Sequence, residues 1–125
     1  GKTMAEETIF TKIINRDIPA DIIYEDDKAL AFKDINPQAP FHCLIIPKQP
    51  IATANDINED NAGLVGHLYV VAAKLAAEHN FSQDGYRLVM NCNEYGGQTV
   101  YHIHLHMLAG KKMGWPPYTD KKKEA

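Results

Sequence analysis

Residues 100 to 109 read Val-Tyr-His-Ile-His-Leu-His-Met-Leu-Ala, an alternation that fits a β-strand and not a helix. Side chains along a strand point to opposite faces in turn, so His102, His104 and His106 share one face. Tyr101, Ile103, Leu105 and Met107 form the other row, and that apolar row accounts for the strand without the histidines. A single histidine on the polar face of an antiparallel sheet is ordinarily just solvated. Three in register, following Gly96-Gly97, point instead to chemistry.

Working outward, Tyr86 to Asn91 reads as a strand joined to Val100–Ala109 through the glycine-bearing turn Asn93-Glu94-Tyr95-Gly96-Gly97. Ile22 to Glu25, a turn at Asp26-Asp27-Lys28, and Ala29 to Asp34 form a β-hairpin pattern. Two prolines make residues 35 to 40 a loop, and His42 to Pro47 is a further strand. Thr8 N-caps a short helix whose Ile9, Phe10, Ile13 and Ile14 make an apolar stripe, ending before Ile18-Pro19. Leu64, Leu68, Val71 and Leu75 recur at helical spacing, so Asn58 to His79 is a long amphipathic helix laid on the sheet. The expected fold is α+β: a five-stranded antiparallel sheet with one long and one short helix.

The chain has 125 residues, about one domain's worth, and its 45% hydrophobic and 23% charged residues suit a packed core and exclude general disorder. A net charge of −3 supplies no electrostatic footprint for a polyanion, so no nucleic acid is expected as a partner and any nucleotide recognised is small. The apolar run Leu68 to Ala77 contains Lys74 and falls short of the roughly 20 residues that span a bilayer, so no membrane partner is expected. Residues 1 to 7 read as a disordered N-terminus or a remnant in which Met4 is the native start, without a signal segment, and a cytoplasmic location follows. Cys43 and Cys92 form no CxxC pair and suit a reducing compartment, each packing as a small apolar residue in a strand. His67 and His79 read as exposed helix residues without a role, and Lys121-Lys122-Lys123 as a solvated run in a flexible tail over 118–125.

Two more patterns bear on chemistry. In Gly96-Gly97-Gln98-Thr99 the glycines let backbone N–H groups converge on an anion, with Gln98 and Thr99 adding neutral donors, a cradle for phosphate. Asp34 lies in register with Phe32, so its carboxylate can accept both ribose hydroxyls while the ring packs against a base. A neutral imidazole whose Nδ1–H is held by a carbonyl presents its Nε2 lone pair and can attack phosphorus near neutral pH, an opportunity open to His104. Same-face neighbours on a strand lie about 6.6 Å apart, close enough that several imidazolium charges would repel, so part of the cluster stays neutral. Protonation of a leaving amine falls to His106 or to the Thr99 hydroxyl.

Gly97-Gln98-Thr99-Val100-Tyr101 running into His102-Ile103-His104-Leu105-His106 resembles the histidine-triad (HIT) family, with its Hint branch, the histidine-triad nucleotide-binding proteins, the best fit. Ile9-Phe10, Ile18-Pro19-Ala20, Ala31-Phe32-Lys33-Asp34-Ile35, Pro37-Gln38-Ala39-Pro40 and Trp115-Pro116-Pro117 extend the resemblance over a single domain from 8 to 117. It implies hydrolysis of purine nucleoside phosphoramidates and aminoacyl adenylates to the nucleoside monophosphate, through a covalent nucleotidyl-histidine, in a homodimer without metal or cofactor. It also implies His104 as nucleophile, with His102, His106 and His42 in support and Asn91, Gly97, Gln98 and Thr99 near the phosphate. Asp34 would take the ribose, Ile9, Phe10, Ile13, Ile18 and Phe32 the base, and Trp115 would lie near the partner protomer's site. Thr99 stands where serine is frequent, and Ala109-Gly110 where Gly-Gly is common.

The rival reading is a zinc- or nucleotide-binding interaction protein with little catalysis, since His-x-His is legitimate ligand spacing and His42 could complete a site. Against zinc, His102 to His106 spans about 13 Å on an extended strand, and no acidic or cysteine ligand is obviously supplied.

Overall fold

The computed structural model describes residues 6–120. The expectations for the first five residues and for the lysine run lie outside the described residues. Thr8 caps helix α1 (Ile9–Ile14): its hydroxyl accepts the Phe10 N–H at 3.0 Å while Thr11 Oγ1 accepts the Thr8 N–H at 2.7 Å, satisfying two otherwise orphaned donors. Strands β1 (Ile22–Glu25) and β2 (Ala29–Lys33) form the expected hairpin, its turn built on Asp26 Oδ1, which accepts the N–H groups of Lys28 and Ala29. After β3 (Phe41–Pro47) come α2 (Ala62–Glu78), β4 (Arg87–Val89), α3 (Asn93–Gly96) and β5 (Leu105–Ala109). All pairings are antiparallel, in the order β1-β2-β3-β5-β4. The five-stranded α+β architecture with one long helix is therefore the fold.

Strand alternation sorts the core into two layers. Ala29, Ala31, Cys43, Ile45, Leu105 and Met107 face α2 and bury against Leu68, Val71, Ala72, Leu75 and Ala76. On the opposite face Leu30, Phe32, Leu44 and Ile46 pack under Phe10 and Ile13 of α1. Opposite Leu44 in β3 stands His106 of β5. The histidine row therefore belongs to the α1 face.

Three local expectations are corrected. The last strand starts at Leu105 and not at Val100, because residues 98–103 are tied to the irregular chain beyond β3. Ile103 N–H donates to the Ile51 carbonyl, and Gln98 Nε2 to Ala52 and Val100 carbonyls. The link from β4 to β5 is no tight hairpin turn, since it holds α3. Gly97 closes that helix in the left-handed region at φ 85, where glycine lacks the Cβ penalty. Cys92 is the N-cap of α3 rather than a strand residue, whereas Cys43 is buried in β3, where burial pushes its thiol up to about 12.

Candidate active site

The central histidine is fixed by its own chain. Nδ1 of His104 lies 2.8 Å from the His102 carbonyl, an obligate acceptor, so Nδ1 carries the proton and Nε2 the lone pair. His104 is 6% exposed, its ring meeting Phe10 edge-on at 5.0 Å between centroids and His106 at the same distance. His102 is fully buried. Its Nε2–H donates to the Pro47 carbonyl at 2.8 Å, and its Nδ1 has no partner among the described residues. It thus contributes a main-chain carbonyl to the site and a ring to the foundation beneath it.

His42 and His106 meet across β3 and β5, with Nε2 of the former 3.0 Å from Nδ1 of the latter. Asp34, just past the end of β2, has its Oδ2 3.4 Å from Nε2 of His42, and its Oδ1 accepts the Asn36 N–H. Burial lowers the pKa of all four histidines. For His106 burial comes first and the neighbouring His104 and His42 add to it, reaching about 4 against the opposing pull of Asp34. All four rings are neutral at pH 7, so the contact between His42 and Asp34 joins an imidazole N–H to a carboxylate and is no ion pair. A neutral His104 is a nucleophile without needing a base to deprotonate it first.

The residues expected around a base come together in part. Phe10, Ile13 and Phe32 are buried in one cluster with Ile18 at its margin, and Phe10 meets Phe32 edge-on at 5.4 Å. Ile9 is half exposed and is not among the residues buried in that cluster. Trp115 is 79% exposed, next to the segment that Arg87 anchors through the Gly114 carbonyl. Asn91 is partly buried between β4 and α3.

The phosphate-cradle expectation needs revision. The N–H groups of Gly97 and Gln98 donate to the Glu94 and Asn93 carbonyls, closing α3. The Gln98 side chain is buried with both ends engaged, its Oε1 accepting the Asn93 N–H. Gln98 is a brace inside the loop and is the buried one of the four cradle residues, whereas Thr99 is exposed with a hydroxyl that the loop does not consume. His67 is no idle helix residue either: its Nε2 lies 2.7 Å from Asp26 Oδ2, tying α2 to the β1–β2 turn. Burial alone would raise the Asp26 carboxyl. The hydrogen bonds from Tyr24, His67 and two backbone N–H groups outweigh it and hold the group well below the usual carboxylate range.

No acidic ligand for a metal is evident along the sequence, but the fold supplies one: Asp34, His42 and His106 offer ligand atoms within 4.8 Å of one another. Coordination through Nε2 of His42 would move that ring's proton to Nδ1, which already accepts the Gln38 N–H at 3.0 Å. A metal there would cost that hydrogen bond. A separate cleft of about 720 Å³, with Glu7, Ile51, Asp56 and Tyr101 on its walls, is lined by none of these histidines.

A five-stranded sheet whose one face carries a neutral imidazole with a free Nε2 lone pair, a second imidazole beside it and an aromatic cluster defines a small α+β protein equipped for nucleophilic chemistry. Comparison with known proteins makes this specific. A family model described as "Scavenger mRNA decapping enzyme C-term binding" matches residues 7–115. The purine nucleoside phosphoramidase of Escherichia coli K12 is 55% identical over 111 residues, 89% of this chain and 93% of that protein. A HIT family hydrolase from Legionella pneumophila superposes with TM-score 0.87 at 53% identity, covering 89% of this chain and 99% of that one. The histidine-triad nucleotide-binding protein of Candida albicans gives 0.75 at 31% identity, over 88% and 83%. The chain belongs to the histidine-triad family, and its likeness includes the nucleotide-binding branch. Among the described residues, no helix is long and apolar enough to cross a membrane.

Proposed function

We propose that this protein is a purine nucleoside phosphoramidase that also cleaves aminoacyl adenylates, releasing the nucleoside monophosphate through a nucleotidyl-histidine. The observation that carries this reading is the His104 Nδ1–H held by the His102 carbonyl, which leaves Nε2 as a lone pair in a neutral ring. In the first step Nε2 of His104 bonds to phosphorus, the P–N bond breaks, and its electron pair leaves on nitrogen, which takes one proton from the imidazolium form of His106, a form the bound anionic phosphate favours, or from the Thr99 hydroxyl. In the second step water attacks phosphorus and the P–Nε2 bond breaks, with its pair returning to His104. The water oxygen stays on phosphorus, and one water proton restores the donor of the first step. No step needs a metal or cofactor.

Asp34 accepts the ribose hydroxyls through the oxygen that Asn36 leaves unused, and Phe10, Ile13, Ile18 and Phe32, with Ile9 at the rim, bind the base. Thr99 and the partly buried Asn91 donate to the phosphate; Gly97 gives that segment its turn. The single domain over 8–117 acts as a homodimer in the cytoplasm, with Trp115 of each protomer near its partner's site. Adenosine phosphoramidate is the test substrate. Release of ammonia and AMP, together with an adenylyl group on the His104 peptide by mass spectrometry after acid-free quenching, is expected. Turnover with no adduct on any histidine in rapidly quenched samples would overturn the covalent route.

A further inference from the structure

His42 stands behind His106 rather than against the nucleophile, and its contacts fix more than its own position. Nδ1 of His42 lies 3.0 Å from the main-chain nitrogen of Gln38, and its Nε2 lies 3.0 Å from Nδ1 of His106. A peptide N–H can only donate, so Nδ1 of His42 keeps its lone pair and the neutral ring's single proton sits on Nε2. That Nε2–H points at Nδ1 of His106, with Asp34 Oδ2 a more distant second acceptor at 3.4 Å. Two N–H groups do not face each other at 3.0 Å. Nδ1 of His106 is therefore also a lone pair, and its ring carries the proton on Nε2.

We propose that the Gln38 main-chain N–H is a positioning group for catalysis: through His42 it sets the tautomer of His106, so that His106 offers the substrate an N–H instead of a lone pair. The consequence for chemistry rests on the phosphoramidase reading above. His104 presents a lone pair toward phosphorus from the adjacent ring, 5.0 Å away between centroids. A second lone pair beside it would repel the phosphoryl oxygens, whereas an N–H donates to one of them as negative charge builds up. The two rings are locked into opposite tautomers by two different backbone groups, a carbonyl for His104 and an N–H for His106. The same lock keeps Nε2 of His42 protonated and so works against a metal at Asp34, His42 and His106.

The test reads the rings directly. Long-range proton–nitrogen correlation spectra of uniformly 15N-labelled protein distinguish Nδ1–H from Nε2–H in each histidine. We expect Nε2–H in His42 and His106 and Nδ1–H in His104. Gln38→Pro removes the donor and should turn His42 and His106 into tautomer mixtures. Turnover number should then fall by about tenfold, a partial loss of a contribution of about 10²-fold, with KM within about twofold. Gln38→Ala keeps the N–H and should keep the wild-type pattern. If the proline variant does not fold, Cys43 permits ligation of a synthetic segment 1–42 carrying the hydroxy-acid analogue of glutamine at 38, which replaces the N–H by an ester oxygen. An Nδ1–H form of His42 in the unmodified protein, or an unchanged His106 tautomer once the donor is gone, would overturn the proposal. Altered tautomers with unaltered turnover would remove the catalytic role while leaving the hydrolase reading intact. Absence of phosphoramidate turnover in the unmodified protein strikes that reading and the catalytic role, and the spectra still decide the lock.

Discussion

The two faces of the sheet use the same strands for different ends. The face under α2 is sealed by a 17-residue helix, and Ala29, Ala31, Cys43, Ile45, Leu105 and Met107 beneath it are wholly buried. The other face has the short six-residue α1 as its helical cover, with Ile18, Ala20 and Val100 packed at the margin, and its row includes His42, His104 and His106. Full coverage supplies stability, because burial of apolar area scales with what the helix hides. Partial coverage leaves room for a ligand while still drying the imidazoles enough to keep them neutral. Division of labour between faces lets one strand period of two carry both tasks.

Neighbouring residues of one segment test that division most sharply. His104→Ala should abolish phosphoramidate turnover by about 10⁴-fold or more with the fold retained, read by steady-state kinetics beside a thermal melt. A turnover loss below about tenfold would mean the nucleophile lies elsewhere. Leu105→Ala, one residue on and facing α2, should cost about 2–5 kcal/mol in urea unfolding, while the protein that remains folded keeps its KM. A change in KM with little change in stability would erase the distinction between faces.

Acid should undo the histidine face selectively. The folded-state pKa values of His42, His102, His104 and His106 lie below the ordinary value of about 6.5, that of His106 at about 4, so as pH falls below about 6.5 the unfolded chain binds more protons. Their contribution to stability is fully present above about pH 6.5 and is lost as pH falls. The urea midpoint should drop from pH 7 to pH 5, by less than the Leu105→Ala effect, and should drop less when His106 is replaced by Phe. Asp34→Ala should raise KM by about tenfold with a smaller change in turnover number, since the ribose contact acts in the bound and transition states alike. The smallest effect is on the α2 side. His67→Ala breaks a partly exposed contact to Asp26 and should cost about 1 kcal/mol or less without touching kinetics.

The apolar periodicities were readable because they are physical requirements repeated along the chain. Leu68, Val71 and Leu75 had to share a helix face, and Leu105 and Met107 had to share a strand face, whatever they packed on. The Thr8 cap was readable for the same reason, being a local bond between near neighbours. The role of Gln98 is not legible in sequence, because a glutamine after two glycines looks alike whether its amide meets a phosphate or the Ala52 carbonyl 46 residues away. The role of Gln38 left no side-chain signal at all, since the group that acts is a peptide N–H present at every residue but proline.

The sequence by itself determined that three imidazoles alternate with an apolar row, that a long helix covers one side of a five-stranded sheet, and that the histidine-triad pattern is present. These follow from local periodicity and motif, which need no knowledge of distant partners. Tertiary structure alone decided which nitrogen of each ring holds its proton, that Asp34 reaches His42, and that the glycine loop spends its amides on its own helix. Such outcomes depend on donors and acceptors brought within about 3 Å by folding, and a hydrogen-bond partner far along the chain is invisible until the chain has brought it there.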